Sequence, residues 1–305
     1  MTIPAPADEL ITRSNRIGED PRNTNFGGGN TSAKGAAIDP ASGKEVELVW
    51  VKGSGGNLGT LNVSGLAVLR RDRVLALKDV YRGIEHEDEM FALFDYCVHG
   101  KPQAAPSIDT SMHTLVDATH VDHLHPDSGI AIANSADGEA LTAAIYGGKV
   151  LWVPWRRPGF QLGLDIAEMK EKNPTAVGAI LGGHGITAWG DTSEECEQNS
   201  LWIIRVAEQY IVKNGAAEPF GAELPSRAAL DQDERRERAA ALMPSIRGLA
   251  ATDERVVGHF NDAPEVLDFV SREHAAELSA RGTSCPDHYL RTKIVPLFLA
   301  VDNET

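Results

Sequence analysis

The stretch AAPSIDTSMHTLVDATHVDHLHPDSG, residues 104–129, gathers four histidines in a short span. Its segment VDHLHP begins like a β-strand and stops at Pro126. Side chains two residues apart in a strand project from the same face of the sheet. His123 and His125 are therefore predicted to point at one spot, as a chelating pair of imidazoles requires. The alternative is that this His-x-His pair is incidental.

A third histidine ligand is offered by AILGGHGITAWG, residues 179–190, which has the pattern of a buried strand followed by a glycine turn. Glycine permits unusual φ angles, so such a turn can present His184 at a strand end. Catalytic zinc sites typically have three protein ligands and one open position. The three histidines together predict a site for a divalent metal, with zinc as the expected ion.

Two glycine-rich segments, NFGGGNTSAK (25–34) and VKGSGGNLGTL (51–61), are typical of loops that cradle phosphate. Successive backbone N–H groups in such turns form anion-binding nests, and Asn30, Lys52 and Ser54 add side-chain donors. Neither segment fits the dinucleotide-binding or P-loop pattern. Plain hairpin turns are the alternative interpretation.

The composition narrows the function classes. The formal net charge is −15 and no basic block offsets it, which argues against nucleic acid or an anionic membrane surface as a partner. Three widely spaced cysteines without a CxxC motif indicate reduced thiols. No signal-peptide pattern and no run of 18 apolar residues is visible, so we expect a cytoplasmic location and no membrane span.

Helical and strand-like segments alternate over most of the chain, which predicts an α/β architecture. Residues 64–81, 85–100 and 192–215 have helical spacing, whereas KVLWVP and AVGAILGG look like strands. A proline-rich segment then separates the later helical patterns at 233–250 and 263–282. We therefore expect a catalytic domain over residues 1–215 and a helical C-terminal extension over 216–305 that packs on it.

The order of five motifs resembles that of the class II aldolase/adducin family. The motifs are GGGN at 27–30, GSG at 53–55, PSID at 106–109, HLH at 123–125 and GHG at 183–185. The closest resemblance within the family is to the aldolase half of bifunctional rhamnulose-1-phosphate aldolase/lactaldehyde dehydrogenases, and it covers nearly the whole chain. No Rossmann fingerprint is present, so the dehydrogenase activity is not implied.

The resemblance implies a fold, an assembly and a reaction. The fold would be α/β with α+β character, a central mixed or antiparallel sheet flanked by helices. The assembly would be a homotetramer with active sites at subunit contacts and a divalent metal, usually zinc. The reaction would be reversible cleavage of a ketose 1-phosphate, with L-rhamnulose 1-phosphate giving dihydroxyacetone phosphate and L-lactaldehyde as the preferred candidate.

The site residues follow from the same comparison. The resemblance gives the metal ligands as His123, His125 and His184 and the proton-transfer residue as Asp109. The substrate and phosphate-binding set, to which Lys52 is added from its glycine loop, is Asn30, Lys52, Ser54, Gly55 and Ser107.

Two positions depart from the family pattern. Ile108 stands where many members have a second serine, and Asp109 replaces a longer glutamate. Asp109 also has a competing structural role, because aspartate is a strong N-cap and TSMHTLVDA is a good helix start. The two roles can coexist.

Other assignments stay open at the level of sequence. The same scaffold could epimerise a pentulose 5-phosphate, or serve as a non-enzymatic adducin-like module, although the three histidines argue against the latter. The segment TSCPDHYLRTK, residues 283–293, could form a second metal site, a phosphate clamp, a subunit contact or a structural turn. Tyr146 and Tyr289 are the candidate proton donors.

Overall fold

A computed structural model of the chain describes residues 4–24, 27–101, 104–227, 230–287 and 293–299. The chain divides into two compact units. The first unit comprises residues 1–214 and 284–292, and the second comprises residues 215–283 and 293–305. The short segment that starts at residue 284 therefore belongs to the first unit, although it follows residues 215–283 of the second unit in the chain.

The first unit is built on one mixed sheet. Within the described ranges its strands are β1 (Asn30–Ile38), β2 (Glu45–Lys52), β3 (Leu66–Arg70), β4 (His120–Leu124), β5 (Val150–Val153), β6 (Gly178–Leu181) and β7 (Gly185–Gly190). The strand order is β3-β2-β1-β4-β7-β6-β5. Only the pair of β5 and β6 is parallel among these neighbours, and the others are antiparallel.

Helices flank this sheet. They are α1 (Ala5–Glu19), α2 (Arg71–Ala76), α3 (Glu87–Leu93), α4 (Thr110–Leu115), α5 (Asp127–Ala133), α6 (Gly138–Tyr146), α7 (Phe160–Lys172) and α8 (Ser193–Asn214). The Thr192 hydroxyl oxygen accepts a hydrogen bond from the backbone N–H of Glu195 and so caps α8. The helix-flanked mixed sheet confirms the predicted fold class.

Strand β4 is the middle strand, and its alternating side chains separate two cores. Leu124 packs with Ile132, Ile186 and Ile203 on the face covered by α5 and α8. Val121 packs on the opposite face with residues of α4 and α7. His123 shares the Val121 face because it lies two residues further along the strand. This alternation directs the histidine pair away from the α5 and α8 layer.

One segment differs from its predicted structure. Residues 64–81 have the spacing of a single helix, but the chain forms strand β3 and then the short helix α2. The first part, Leu66–Arg70, pairs antiparallel with β2, and Leu66, Ala67 and Leu69 are buried. Residues 64–81 include the apolar residues of a buried strand and those of the next helix. Periodicity alone does not distinguish a short buried strand from a helix.

The second unit is helical. Its helices in the described part are α9 (Gln232–Ala250), α10 (Pro264–Val270) and α11 (Ala275–Ala280). Asp231 caps α9 by accepting a hydrogen bond from the backbone N–H of Glu234 at 2.9 Å. A helical C-terminal region was predicted and is present. No helix among the described residues combines the length and apolarity that a membrane crossing needs.

Candidate metal and substrate site

Three histidines of the first unit converge. His123 lies on β4, His125 follows the end of that strand, and His184 lies in the turn between β6 and β7. His123 Nε2 is 3.1 Å from His184 Nε2 and 3.0 Å from His125 Nε2. All three residues are buried, and their potential ligand atoms lie within 4.8 Å of one another. The structure thus brings together the histidines that the sequence predicts as metal ligands.

The turn that carries His184 depends on close backbone approach. Gly185 begins β7 and packs so tightly that a Cβ there would lie 2.5 Å from the Leu124 carbonyl oxygen and 2.7 Å from His125 Cδ2. A side chain at this position would push the His184 turn away from the end of β4. The GHG motif therefore has a steric reason at its last glycine.

In two of the rings the outer nitrogen, Nδ1, is hydrogen-bonded. These bonds fix the direction of the inner nitrogen, Nε2, which faces the other histidines. His123 Nδ1 donates to the Ile186 carbonyl oxygen at 2.9 Å, and His125 Nδ1 donates to Asp287 Oδ2. A carbonyl oxygen and a carboxylate can only accept, so the hydrogen of each ring lies on Nδ1. Each Nε2 then presents a lone pair toward the common centre.

The rings of His123 and His184 are held in the neutral form that binds metals. Burial, reinforced by the neighbouring His125, lowers the pKa of His123 to about 4. Burial also lowers the pKa of His184 well below its ordinary value, and His123 and His125 add to the effect. Neutral imidazoles are required for coordination, so both rings are ready to bind a cation at neutral pH.

The donor set fits a divalent ion. His123 Nε2 lies about 3 Å from the Nε2 atoms of both other histidines, and lone pairs this close repel one another unless a cation lies between them. Imidazole nitrogens at about 2.0–2.1 Å from a tetrahedral zinc would be separated by roughly 3.3 Å, close to the spacing seen here. The histidine cluster could therefore hold one divalent metal ion, with coordination left for a substrate.

Asp109 lies beside this cluster. It occupies the N-cap position of α4, yet its side chain makes no cap hydrogen bond. Its Oδ2 instead accepts from Asn30 Nδ2 at 2.9 Å and from Ser107 Oγ at 3.2 Å. The capping role that its sequence position allows is thus not realised by the side chain.

The Asp109 carboxyl is ionised at neutral pH. Burial raises its pKa, but the nearby His123 and His184 rings and the hydrogen bond from Asn30 outweigh burial and lower the pKa to about 2. Asp109 Oδ1 is buried and has no hydrogen-bond partner among the described residues. This oxygen, unlike Oδ2, is left with the capacity to accept a hydrogen bond from a ligand.

The remaining predicted residues line the same cleft. It has a volume of about 940 Å³ and includes Asn30, Lys52, Ser54, Gly55, Ser107, Asp109, His125 and His184 on its walls. Lys52 Nζ donates to the carbonyl oxygens of Gly29 at 3.2 Å and Gly55 at 2.9 Å. The Lys52 side chain therefore ties the two glycine loops together.

His113 is a residue of the site that sequence patterns did not identify. It lies on α4, is fully buried, and contacts Asn30 Oδ1 through Nε2 and Ser32 Oγ through Nδ1 at 2.7 Å. Burial lowers its pKa to about 3 and keeps the ring neutral. By holding Oδ1, His113 turns the amide nitrogen of Asn30 toward Asp109. Its position one turn after Asp109 was the only sequence signal.

The segment 283–293 contributes Asp287 to the site, whereas neither candidate tyrosine is found there among the described residues. Asp287 lines the cleft and contacts His125. Tyr146 is buried in the core, where its hydroxyl donates to the Ile203 carbonyl oxygen at 2.9 Å, so within its own chain it does not face the cleft. Tyr289 lies outside the described residues.

Comparison with known proteins covers nearly the whole chain. Residues 9–211 match the family model described as class II aldolase and adducin N-terminal domain. Residues 237–305 match the model described as aldolase class II, second domain. A Bacillus subtilis (strain 168) protein named uncharacterized oxidoreductase YuxG is 38% identical over 304 residues, which are 99% of this chain and 43% of that protein. The chain thus spans less than half the length of this curated relative.

Solved structures show the same architecture. The N-terminal class II aldolase domain of a conserved protein from Thermoplasma acidophilum superposes with a TM-score of 0.62 at 30% identity, covering 69% of this chain and 96% of that one. An aldolase II superfamily protein from Pseudomonas syringae gives a TM-score of 0.51 at 15% identity, over 84% of this chain and 98% of that one. The second likeness bears on the fold alone.

Proposed function

The chain belongs to the class II aldolase and adducin family, and from this premise we propose that it is a metal-dependent aldolase. It would reversibly cleave a ketose 1-phosphate into dihydroxyacetone phosphate and an aldehyde. L-Rhamnulose 1-phosphate, which gives L-lactaldehyde, is the first substrate to test. The observation that carries the proposal is the opening of one cleft onto the histidine cluster, Asp109 and both glycine loops.

Asp109 is proposed to move the proton of the reaction. Cleavage of the carbon–carbon bond beside a ketone leaves an enediolate, and a divalent ion supplies Lewis-acid stabilisation of that negative charge when it is bound. A general base must be ionised and within hydrogen-bond reach of the proton that it takes. Asp109 is ionised, and Asn30 and Ser107 fix one of its oxygens while the other stays available.

The glycine loops are proposed to bind the substrate phosphate. Gly55 and Gly56 adopt positive φ angles of 73° and 74°, and a Cβ on either would meet open space. Successive N–H groups in such turns bind anions. Lys52 would add its charge, and Ser54 would add a hydroxyl donor from the wall of the cleft, which Ser107 also lines.

Several further assignments belong to the proposal. The metal is proposed to be zinc, the assembly a homotetramer, and the partner a small phosphorylated sugar. Residues 1–215 would form the catalytic domain and 216–305 an extension of it. The activity of any longer protein that contains this chain is a separate question, because the curated relative is more than twice as long.

A coupled assay tests the proposal directly. Purified chain would be incubated with a panel of ketose 1-phosphates and pentulose 5-phosphates, with dihydroxyacetone phosphate detected enzymatically and bound metal measured by elemental analysis. We expect about one divalent ion per chain and equimolar release of dihydroxyacetone phosphate and aldehyde. Conversion of a pentulose phosphate to its epimer without fragments would favour epimerisation. Full activity without stoichiometric metal would refute the metal-dependent mechanism.

A further inference from the structure

Asp287 reaches the histidine cluster from the far end of the chain. It belongs to the segment of the first unit that starts at residue 284, 70 residues after α8 ends. Its Oδ2 contacts His125 Nδ1, the nitrogen that faces away from the other two histidines. The two side chains are 12% and 5% exposed, so little water competes for this contact.

The Asp287 side chain lies in a space formed beside Gly28. A Cβ on Gly28 would lie 2.2 Å from Asp287 Oδ2, so the first glycine loop leaves room for the carboxylate. Nearby, Asn134 Nδ2 donates to the Ser284 carbonyl oxygen at 2.7 Å and anchors the start of the segment. Cys285 is buried, with 3% of its surface exposed. The Asn134 hydrogen bond, the buried Cys285 and the space left by Gly28 thus define the path that brings the carboxylate to His125.

His125 needs such a partner more than His123 does. His123 lies within β4 and is held by its strand and by the Ile186 carbonyl oxygen. His125 lies beyond the last residue of the strand, so the sheet ladder does not fix its backbone. A carboxylate on the outer nitrogen of a metal-binding histidine fixes the ring orientation and raises the basicity of the inner nitrogen.

We propose that Asp287 is a positioning residue that aims His125 Nε2 at the metal centre. The C-terminal part of the chain would thereby complete a site whose ligands all lie before residue 215. This inference rests on the proposed metal-dependent function. It gives the segment 284–287 a role that the matched N-terminal domain, residues 9–211, does not contain.

Metal affinity and ligand geometry in the full chain test this role. We would compare the parent, Asp287→Ala and Asp287→Asn by competition for Co²⁺ and Zn²⁺ with a chromophoric chelator, and by the visible spectrum of the Co²⁺-loaded proteins. Loss of an outer partner typically lowers metal affinity about 10–100-fold. We expect a loss in that range for Asp287→Ala, a smaller loss for Asp287→Asn, and a changed Co²⁺ spectrum for Asp287→Ala.

Gly28→Ala provides a second route that leaves the carboxylate in the protein. Its Cβ would displace the Asp287 side chain, and the backbone of Gly28 is outside the positive-φ region that disfavours alanine. We expect Gly28→Ala to weaken Co²⁺ binding in the parent and to have little further effect in Asp287→Ala. Equal weakening in both backgrounds would mean that the glycine acts independently of Asp287.

The outcomes separate this inference from the proposed function. If the parent binds Co²⁺ or Zn²⁺ and Asp287→Ala binds it with the same affinity and spectrum, the positioning role is refuted while the metal-dependent function stands. If the parent itself binds neither metal, the proposed function fails and the inference fails with it. Equal melting temperatures of the metal-free parent and variants would show that a weaker affinity does not come from unfolding.

Discussion

Strand β4 has two buried polar faces that are built differently. On the paired face, defined by His120 and Asp122, Asp122 accepts from Arg13 Nε and from Ser200 Oγ, each at 3.0 Å. The Arg13 and Asp122 side chains are both completely buried. On the open face, defined by His123 and by His125 just beyond the end of the strand, the Nε2 atoms point at one another.

The two faces differ in how many of their polar atoms already have hydrogen-bond partners within the protein. Arg13 donates to Asp122, to His120 Nδ1 at 2.9 Å and to the Ser32 carbonyl oxygen at 2.9 Å. Beside the open face, Asp109 Oδ1 is buried without a hydrogen-bond partner among the described residues. Buried polar atoms are nearly always hydrogen-bonded. The paired face therefore stabilises the fold, and the open face keeps its bonding capacity for a ligand.

The largest expected effect comes from breaking the open face at His184. His184→Ala removes one of three ligands, so we expect loss of stoichiometric metal and of measurable cleavage activity. The metal-free variant should melt close to the metal-free parent, because the ring supports a ligand rather than the core. Elemental analysis, the coupled assay and thermal melts measure the three quantities.

A matched control separates this effect from histidine content in general. His259 is exposed and lies in the second unit, and His259→Ala removes an imidazole without touching the cluster. It should retain the metal and the activity of the parent. If His184→Ala also retained both, the open face would be a structural feature like the paired one.

Asp109→Asn is expected to have the next largest effect. Asparagine keeps the shape and an oxygen that can accept from Asn30, but it cannot take up a proton near neutral pH. General acid–base groups contribute about 10²–10⁴-fold in rate, so cleavage should fall at least about a hundredfold. The metal content should stay at the parental level. Exchange of the carbon-bound protons of dihydroxyacetone phosphate with solvent, followed by NMR, should fall in parallel.

An Asp109→Asn variant that kept more than a tenth of the parental rate would assign the proton transfer to another group. A fall in melting temperature with that retained rate would favour the structural role at the start of α4. The structure argues against this outcome, because the side chain makes no cap bond.

The paired face is broken by Arg13→Met, and the effect should be on stability. Removing one partner of a buried ion pair leaves an uncompensated charge and typically costs about 3–5 kcal/mol of unfolding free energy. Urea denaturation of the metal-free protein measures that loss. The double variant Arg13→Met with Asp122→Leu should recover part of it, because no buried charge is then left alone. Folded, metal-loaded Arg13→Met should cleave substrate at nearly the parental rate.

The sequence predicts the two faces of β4 to different extents. The i, i+2 spacing of His123 and His125 encodes a shared direction in any strand, and the glycine turn at His184 marks a strand end. These local rules predicted the open face. The partner of Asp122 could not be found in this way, because Arg13 is 109 residues away and only the folded sheet brings the two together.

Other parts of the site depend on the same kind of long-range pairing. Asn30 lies opposite His123 because β1 and β4 pair in register, and Asp287 follows residues 215–283 of the second unit in the chain. His113 gave a weak signal, since its ring acts through Asn30 rather than on a ligand. The helix predicted for residues 64–81 was wrong over β3 for the related reason that strand pairing with β2 outweighed local spacing.

The smallest expected effect concerns Ile108 and tests whether the cleft beside the open face binds phosphate. Ile108 lines the cleft between Ser107 and Asp109, is 37% exposed, and stands where many family members carry a second serine. If the cleft binds phosphate, Ile108→Ser would add one hydroxyl donor to a charged acceptor. Hydrogen bonds to charged groups contribute about 1.5–3 kcal/mol in well-formed cases, and partial exposure reduces this gain. We therefore expect the KM for a ketose 1-phosphate to fall about threefold to tenfold with kcat little changed, in line with a gain of about 0.7–1.4 kcal/mol.

Ile108→Val is the matched control, because it shortens the side chain without adding a donor. Steady-state kinetics of both variants, with inorganic phosphate as a competitive inhibitor, decide the matter. An equal change of KM and of the phosphate inhibition constant in Ile108→Val and Ile108→Ser would attribute the effect to cleft shape, and the phosphate would then have to bind elsewhere on the cleft wall.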